Sequence, residues 1–590
     1  MTYDLMATNI GYQSETASAA PRSLQSFMEE HRTIRDFGSA ETGQGLVDDG
    51  PAITKMANAL GYVVIPSGNF RIIGDLTISV PQYYQAGACL TVDDTSTLTI
   101  TNRIHSSNQW IFQGAGKVTI NIVSTMGEDA KLVTAGWFGV FPTNALVSDV
   151  TERMQRALNS MNAQTREGIL QLECGSYHLS KTIYVPRGVE ISGRGMRRTI
   201  FDISGLDFTV FETTGNACKF TNFQFEFPTG QSGVRTAPYI HVKHNTCEID
   251  SIWLHPTTVG IIIDENWCTI RNLRATYGLD PQALDIADTC VVWARTSGFS
   301  IIDVTIIGTT FAPHHIVRVG HDTNISAGNI DNIHTTLPAT AVFLDNRNCS
   351  ISRINISNII GNPASSTGNQ QFDSLTKIVA AGAYQCTYIT IHGLVTNGSA
   401  DSLLHIDGSD TSVISNISLG SAVAQGNTGY GIRLINNGTG AIRNINIAGD
   451  VDVSGRPIRL ETVGNVTLLN IPPSLRGSHF SAPFIENFTL GDDQARIIGD
   501  NRTAIFAGVL IIGSSNPSVN GIFSFRAASS SNHVTMIAGA ANMSTATTPL
   551  SGSSGSDGRF TVGIDSSGQL VLENRVGSNL TLSITLMAGY

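Results

Sequence analysis

The sequence has little charge, few aromatic residues and no long apolar run, and each shortage excludes a class of protein. Of its 590 residues, 14% are charged and 7% aromatic, with 36 basic against 47 acidic side chains and a net charge of −11. No basic cluster interrupts that balance, which argues against nucleic acid or an anionic membrane surface as a partner. No stretch approaches the roughly 18 apolar residues that span a bilayer. The first residues, from Met1 to Ala7, lack the basic and apolar regions of a secretory signal, so folding in a reducing cytoplasm is expected. The 8 cysteines are few for 590 residues and do not scatter as a disulfide framework would. His314, His315 and Asp322 lack the spacing of metal ligands. No cofactor and no metal is predicted.

What is present is a returning phrase: two strand-like pieces joined by a tight polar turn. Its clearest copies span Tyr239–Asp250, Gly260–Arg271 and Ala341–Ser352, and weaker ones centre on Phe299, Ile325, Cys386, Val413, Ala441 and Val466. The interval of roughly 21 to 37 residues is that of a coil. In the copy at Gly260, Ile261, Ile263, Cys268 and Ile270 share one face, while Ile262, Asp264, Glu265 and Thr269 take the other face or the turn. Stacking such rungs about 4.8 Å apart pairs each strand in parallel with its neighbour one turn later. Cys218, Cys247, Cys268, Cys349 and Cys386 recur just after the turn and are predicted to be packed, inward thiols. Asn245, Asn266, Asn324 and Asn348 lie near the turn, where asparagine tolerates left-handed backbone and can bond to the rung above.

Four segments follow. Residues 1–32 have no strong periodicity and read as a tether or docking segment, with a possible short helix over Ser23–His31. Residues 33–134 read as a small β-domain with a capping helix: Asp49 precedes Pro51, and Ile53, Met56, Ala57 and Leu60 form an apolar face. Residues 135–472 form the main coil. The opening phrase returns there, with a helix predicted over Asp149–Met161 on Val150, Met154, Ala157, Leu158 and Met161, placed to cover an open strand edge. Residues 473–590 read as an antiparallel sandwich, with strands at Ala504–Ile512, Gly521–Arg526, His533–Ala538, Phe560–Ile564, Gln569–Glu573 and Leu580–Met587.

Two motifs carry a resemblance. Asp36-Phe-Gly, Asp48-Asp-Gly-Pro-Ala-Ile53 and Ile65-Pro-Ser-Gly-Asn-Phe-Arg-Ile72 resemble the opening motif of phage tailspikes and other pectate-lyase-like β-helix proteins. Gly558-Arg-Phe-Thr-Val562 with Gly568 to Gly577 is similar to the carboxy-terminal β-sandwich of phage capsule depolymerases. The resemblance implies an all-β, homotrimeric spike with a right-handed parallel β-helix and a lectin- or jelly-roll-like sandwich. It implies a protein of the virion tail, made in the host cytoplasm and attached through its N-terminus to the tail or to another tailspike. It also implies binding and cleavage of a bacterial capsular or other surface polysaccharide.

Glycosidic cleavage commonly uses two carboxyl groups, one protonated and one ionised. Turn positions offer Asp264 and Glu265 beside Trp267, Asp322 beside His321, and Asp345 beside Arg347. Counted back from the inward residue, Lys243, Asp264, Arg295, His321 and Asp345 form one vertical row, with His244, Glu265, Thr296, Asp322 and Asn346 beside it. Counted forward from the preceding strand, the rungs at Phe299 and Ile325 shift by one residue. The first count separates Glu265 from Asp322 by two rungs, about 10 Å, near the inverting separation. A solvated acidic turn is the plainer alternative.

Candidates in the longer loops are Tyr277 and Asp285, together with Asp280 and Asp288, although a turn former and a helix cap explain the acids equally well. Trp253 and Trp267 flank outward positions suited to stacking on sugar rings, whereas Trp293 is assigned to the core. His241, Arg318, His405, Arg433 and Arg459 form an outward basic stripe that suits an acidic glycan, or else pairs with carboxylates such as Asp407 and Glu461. The function expected is depolymerisation by hydrolysis. Its rivals are a lyase using Lys243, His321 or Arg318 on a uronate, and a non-catalytic receptor-binding spike.

Overall fold

The structure is a computed structural model. It describes residues 11–12, 22–23, 32–39, 47–121, 132–142, 149–161, 168–203, 207–226, 236–255, 258–276, 289–307, 313–320, 322–336, 339–361, 372–396, 400–424, 430–447, 451–453, 456–462, 465–469, 484–499, 506–527, 532–548, 550–553, 556–564 and 569–589. The chain divides into two compact units, Met1–Leu206 with Val210–Pro228, and Asp207–Thr209 with Thr229–Tyr590. The helix expected over Ser23–His31 falls almost wholly outside the described residues.

The first unit contains two similar passages. Each opens with a short 3-10 turn, Ile34–Phe37 or Ala135–Phe138, closed by a left-handed glycine, Gly38 or Gly139. A helix follows, α1 at Gly50–Leu60 and α2 at Thr151–Ser160. Then come strands in which Gly68 and Gly175 take φ of 135° and 132°, and Phe70 and Tyr177, two residues on, are fully buried. All five residues expected to face inward from α2 are buried, from Val150 to Met161. Asp49 stands at the N-cap of α1, but its carboxylate instead accepts from Arg71 N at 2.9 Å and Ser39 Oγ at 2.7 Å, tying the helix to the coil.

Residues 63–120 are already coiled. Gly68–Ile72, Ala88–Val92 and Phe112–Gln113 pair in parallel, as do Leu76–Ile78, Thr97–Ile100 and Lys117–Ile120. The expected small β-region is therefore a set of short rungs. Helix α2 is held to their last turn by Arg156, whose guanidinium donates to the carbonyls of Gln113 at 3.1 Å and Gly116 at 2.9 Å.

In the second unit the parallel coil is explicit. One sheet runs through Ile240–Val242, Val259–Ile263, Cys290–Ala294, His315–Val319, Thr340–Asn346, Phe372–Ala380, Ala400–Gly408 and Tyr430–Asn436, each strand paired in parallel with the next. A second sheet runs in the same sense from Glu248–Leu254 to Asn465–Leu469. Its register stacks Ile249, Ile270, Ile301, Ile330, Ile356 and Ile391, all buried. Each such side chain contributes roughly 1.5–3 kcal/mol by leaving water.

The turn chemistry differs from expectation. Left-handed backbone falls on Thr246, Trp267 and Gly298, one residue after the positions of Asn245 and Asn266. Those asparagines bond vertically instead: Asn245 Oδ1 accepts from Asn266 N at 3.0 Å, and Asn324 Oδ1 from Ser350 N at 2.9 Å. A separate corner within the second sheet uses left-handed Asn272, Asp303, Asn332 and Asn358.

The last part of this unit forms two sheets. Phe484–Leu490, Leu580–Gly589, Phe506–Ser514, Gly521–Ala527 and His533–Gly539 are antiparallel neighbours. Gln494–Gly499, Leu570–Asn574 and Phe560–Ile564 are antiparallel as expected, but Met543–Ala546 joins Phe560–Ile564 in parallel.

All eight cysteines are free thiols and only Cys174 is exposed. Cys247 and Cys268 stand one over the other, because Glu248 pairs with Thr269. Cys386, however, is in register with Ile351, two residues past Cys349. The five thiols that follow the turns are thus all inward without forming one straight row. Contact with Cys247 and then burial raise the Cys268 thiol, and burial pushes Cys386 up to about 12. Thiolates, which are the reactive form, are therefore suppressed there. A thiol reagent applied to the native protein is expected to label Cys174 alone, as read by peptide mass spectrometry; rapid labelling of Cys268 or Cys386 would contradict the stacked interior.

Candidate functional site

The outward position of the first sheet forms a continuous row. Strand register places His241, Ile262, Trp293, Arg318, Phe343, Lys377, His405 and Arg433 successively beside one another. The flanking residues Ile261 and Ile263, Val292 and Ala294, Val317 and Val319, and Val342 and Leu344 point into the core and are buried. Trp293 is therefore an outward, half-buried residue and not a core residue. Its strand, Cys290–Ala294, is apolar at every position, so no alternation marks Trp293 as outward, where the guanidinium of Arg318 lies 4.4 Å from the ring centre and that of Arg295 lies 5.2 Å away.

A second row stands two residues further along. The backbone ladder continues past the strands, with Asp264 N donating to Val242 O, Arg295 N to Ile263 O and Gly320 N to Ala294 O. Since Val319 pairs with Leu344, this row reads Asp264, Arg295, Gly320, Asp345. The first count holds at Arg295 and the forward count at Gly320, so His321 does not belong to the row. Only glycine fits at 320, because φ is +128° and a Cβ would lie 2.0 Å from the carbonyl oxygen of Asp345.

Two carboxylate clamps result. Asp264 Oδ2 is 2.7 Å from His241 Nε2, and Oδ1 is 3.1 Å from Arg295 Nε. Asp345 accepts from Arg318 at 2.6 Å and from Arg347 Nε at 2.7 Å, with Arg347 also reaching its second oxygen. Burial alone would raise the Asp345 carboxyl, but bonds from Arg347 and Arg318 outweigh it and hold it below the usual carboxylate range. Three rung spacings put Asp264 and Asp345 about 14 Å apart, beyond the reach of one glycosidic bond. At an effective dielectric of 20 their repulsion is only about 1 kcal/mol, so they do not share a proton.

The other predicted residues are dispersed. Glu265 is half-buried in the turn after Asp264, and among the described residues its carboxylate makes no hydrogen bond or ion pair. Trp267 is 70% exposed beside it. Asp322 is exposed in the turn two rungs on, one residue further along than the first count put it. Trp253 lies on the second sheet, mostly buried, with its indole donating to Thr276 and stacked against His255. Tyr277, Asp285 and His321 lie outside the described residues. Sequence reasoning missed Lys377, whose only signal is alternation within Phe372–Ala380, and weighed His315 only as a metal ligand, whereas its ring stacks 4.2 Å from Phe343.

A cavity of about 730 Å³ in the first unit is lined by Trp110, Lys117, Arg153 and Arg156 among others. Its arginines are engaged in the scaffold: Arg153 covers the Trp110 ring and Arg156 binds backbone carbonyls.

No protein-family model matches the sequence, and no curated protein does. Solved structures similar to the chain include the tailspike of Acinetobacter phage vB_ApiP_P1, at 12% identity over 80% of this chain and 90% of that one, with a TM-score of 0.28. A second is a tailspike of Acinetobacter baumannii bacteriophage Fri1, a capsular polysaccharide depolymerase, at 10% identity over 80% and 89%, TM-score 0.27. A third is a mutant tailspike of Escherichia coli bacteriophage HK620 in complex with a pentasaccharide, at 10% identity over 98% and 97%, TM-score 0.35. The parallel coil stands on its own strand pairing, independently of these likenesses.

Replacing Asp345 would leave Arg318, whose side chain is 11% exposed, without its carboxylate. Asp345→Asn is expected to cost about 3 kcal/mol at pH 7. Because the folded carboxyl is depressed, its stabilisation is present above the ordinary carboxylate range and is lost as pH falls below about 4. Urea unfolding should therefore show the gap between wild type and variant closing on acidification; a gap independent of pH would contradict the clamp.

Proposed function

We propose that the chain is a spike-type depolymerase that binds and hydrolyses a bacterial surface polysaccharide along the outer face of its coil. The observation carrying this reading is the turn Asp264-Glu265-Asn266-Trp267. A carboxylate clamped by His241 and Arg295 adjoins a carboxyl without protein partners among the described residues, and both adjoin a tryptophan left 70% exposed. Packing gives no reason to expose so large a ring, whereas a sugar face does.

In this reading Glu265 protonates the leaving oxygen. Asp322, two rungs or about 10 Å along, takes the proton of the attacking water, an inverting arrangement. Asp264 and Asp345 position the surrounding cations and do not exchange protons with substrate. Elimination from a uronate is the second reading, favoured by the cations of the outer row, which could neutralise a substrate carboxylate. The resemblance of the opening and closing motifs adds a homotrimer anchored to a phage tail through residues 1–32.

Purified protein incubated with a panel of capsular polysaccharides is expected to release new reducing ends without the ultraviolet absorbance of an unsaturated uronate. Glu265→Gln is expected to lower kcat by about 10²–10⁴, the usual contribution of general acid catalysis. Full activity in both Glu265→Gln and Asp322→Asn would overturn the assignment, and binding without chain shortening would reduce the protein to an adhesin. Light scattering should give the mass of three 62.9 kDa chains; a monomer would refute the assembly.

A further inference from the structure

Past the Asp345 clamp, the outer row continues as Lys377, His405 and Arg433 on three consecutive rungs. At about 4.8 Å per rung the three basic groups occupy about 10 Å of one face, with Arg318 two rungs before them. The fold does not demand charge here, since the same row carries Ile262 and Phe343 on other rungs. Like charges on one row are also unfavourable: Lys377 and Arg433, two rungs and about 10 Å apart with the buried His405 between them, repel by about 0.4 kcal/mol in water and by about 2 at an effective dielectric of 20. The neighbouring outward row over these rungs reads Val379, Asp407, Ile435, a single carboxylate against three basic side chains.

An anion lying along the row would relieve that repulsion. In a chain whose net charge is −11, the concentration of basic groups on this face stands out. Lys377 and Arg433 are half-buried, so part of their hydration is already lost and a charge-assisted bond to a ligand gains strength.

We infer that Lys377, His405 and Arg433 form an acid-recognising subsite, so that the polysaccharide cut by this chain carries carboxylate groups, as uronic acids or pyruvate acetals, at the repeat length that spans these rungs. The inference rests on the depolymerase reading and names its substrate class. Each of the three residues also interacts within the protein, so a purely structural role predicts lowered stability with no change of preference.

The test uses the full-length protein and a panel of purified capsular polysaccharides, acidic and neutral, with each acidic polymer assayed both native and after chemical reduction of its carboxyl groups. Cleavage of an acidic polymer is expected to fall at least about tenfold on carboxyl reduction, the equivalent of one charge-assisted contact. The double variant Lys377→Gln with Arg433→Gln is expected to raise KM for that native polymer about tenfold or more, with the larger change in KM rather than kcat. Equal cleavage of native and reduced polymer, or preference for a neutral one, would overturn the acidic subsite and leave the depolymerase reading standing. A variant that melts earlier but keeps KM would also overturn it. If no polymer in the panel is bound or cut, the depolymerase reading fails and the subsite with it.

Discussion

Parallel pairing of each strand with the strand one coil later is the interaction on which everything else depends. It satisfies backbone donors and acceptors between rungs, and it forces equivalent residues to stand about 4.8 Å apart in vertical files. The file of isoleucines from Ile249 to Ile391 follows from it, as does the direct stacking of Cys247 on Cys268. The asparagine bonds between turns follow too, since Asn245 meets the amide of Asn266 only if the rungs are in register.

The same constraint writes the surface. A side chain that alternates outward is repeated outward on the next rung, so chemistry is laid down in rows. In one row Trp293, Arg318, Phe343 and Lys377 alternate ring and cation, and the Trp293 ring is covered by Arg318 of its own row and Arg295 of the next. The adjacent row supplies the carboxylates Asp264 and Asp345, held by His241 and Arg318 of the first row. Glycine at 320 is what lets the two rows keep step, because a side chain there would collide with the next rung.

Much of this was legible in the sequence wherever alternation and spacing carry the information. The inward thiols, the apolar face of α2 and the strands near the C-terminus required only local periodicity. Register across a turn did not follow, because turns differ in length by single residues: Gly320 replaces His321 in the row, and no local signal distinguishes the two counts. The phase of Trp293 is hidden because Cys290–Ala294 is apolar at every position, and only its pairing with Ile262 and Arg318 turns the ring outward. The coil at 63–120 was mistaken for a small β-region because strands of three to five residues are too short to display a repeat. The left-handed corner at Asn272, Asp303, Asn332 and Asn358 was invisible for a related reason, lying inside strands where polar residues pass for surface ones.

The most direct test of the central claim is a crystal structure of a Glu265→Gln variant with a bound oligosaccharide of its polymer. The account predicts sugar rings lying along the coil axis over the row from Trp293 to Arg433, with Asp264, Arg295, Gly320 and Asp345 in one file beneath them. Sugar bound instead on the sheet that contains Trp253, or a file in which His321 stands between Arg295 and Asp345, would contradict it.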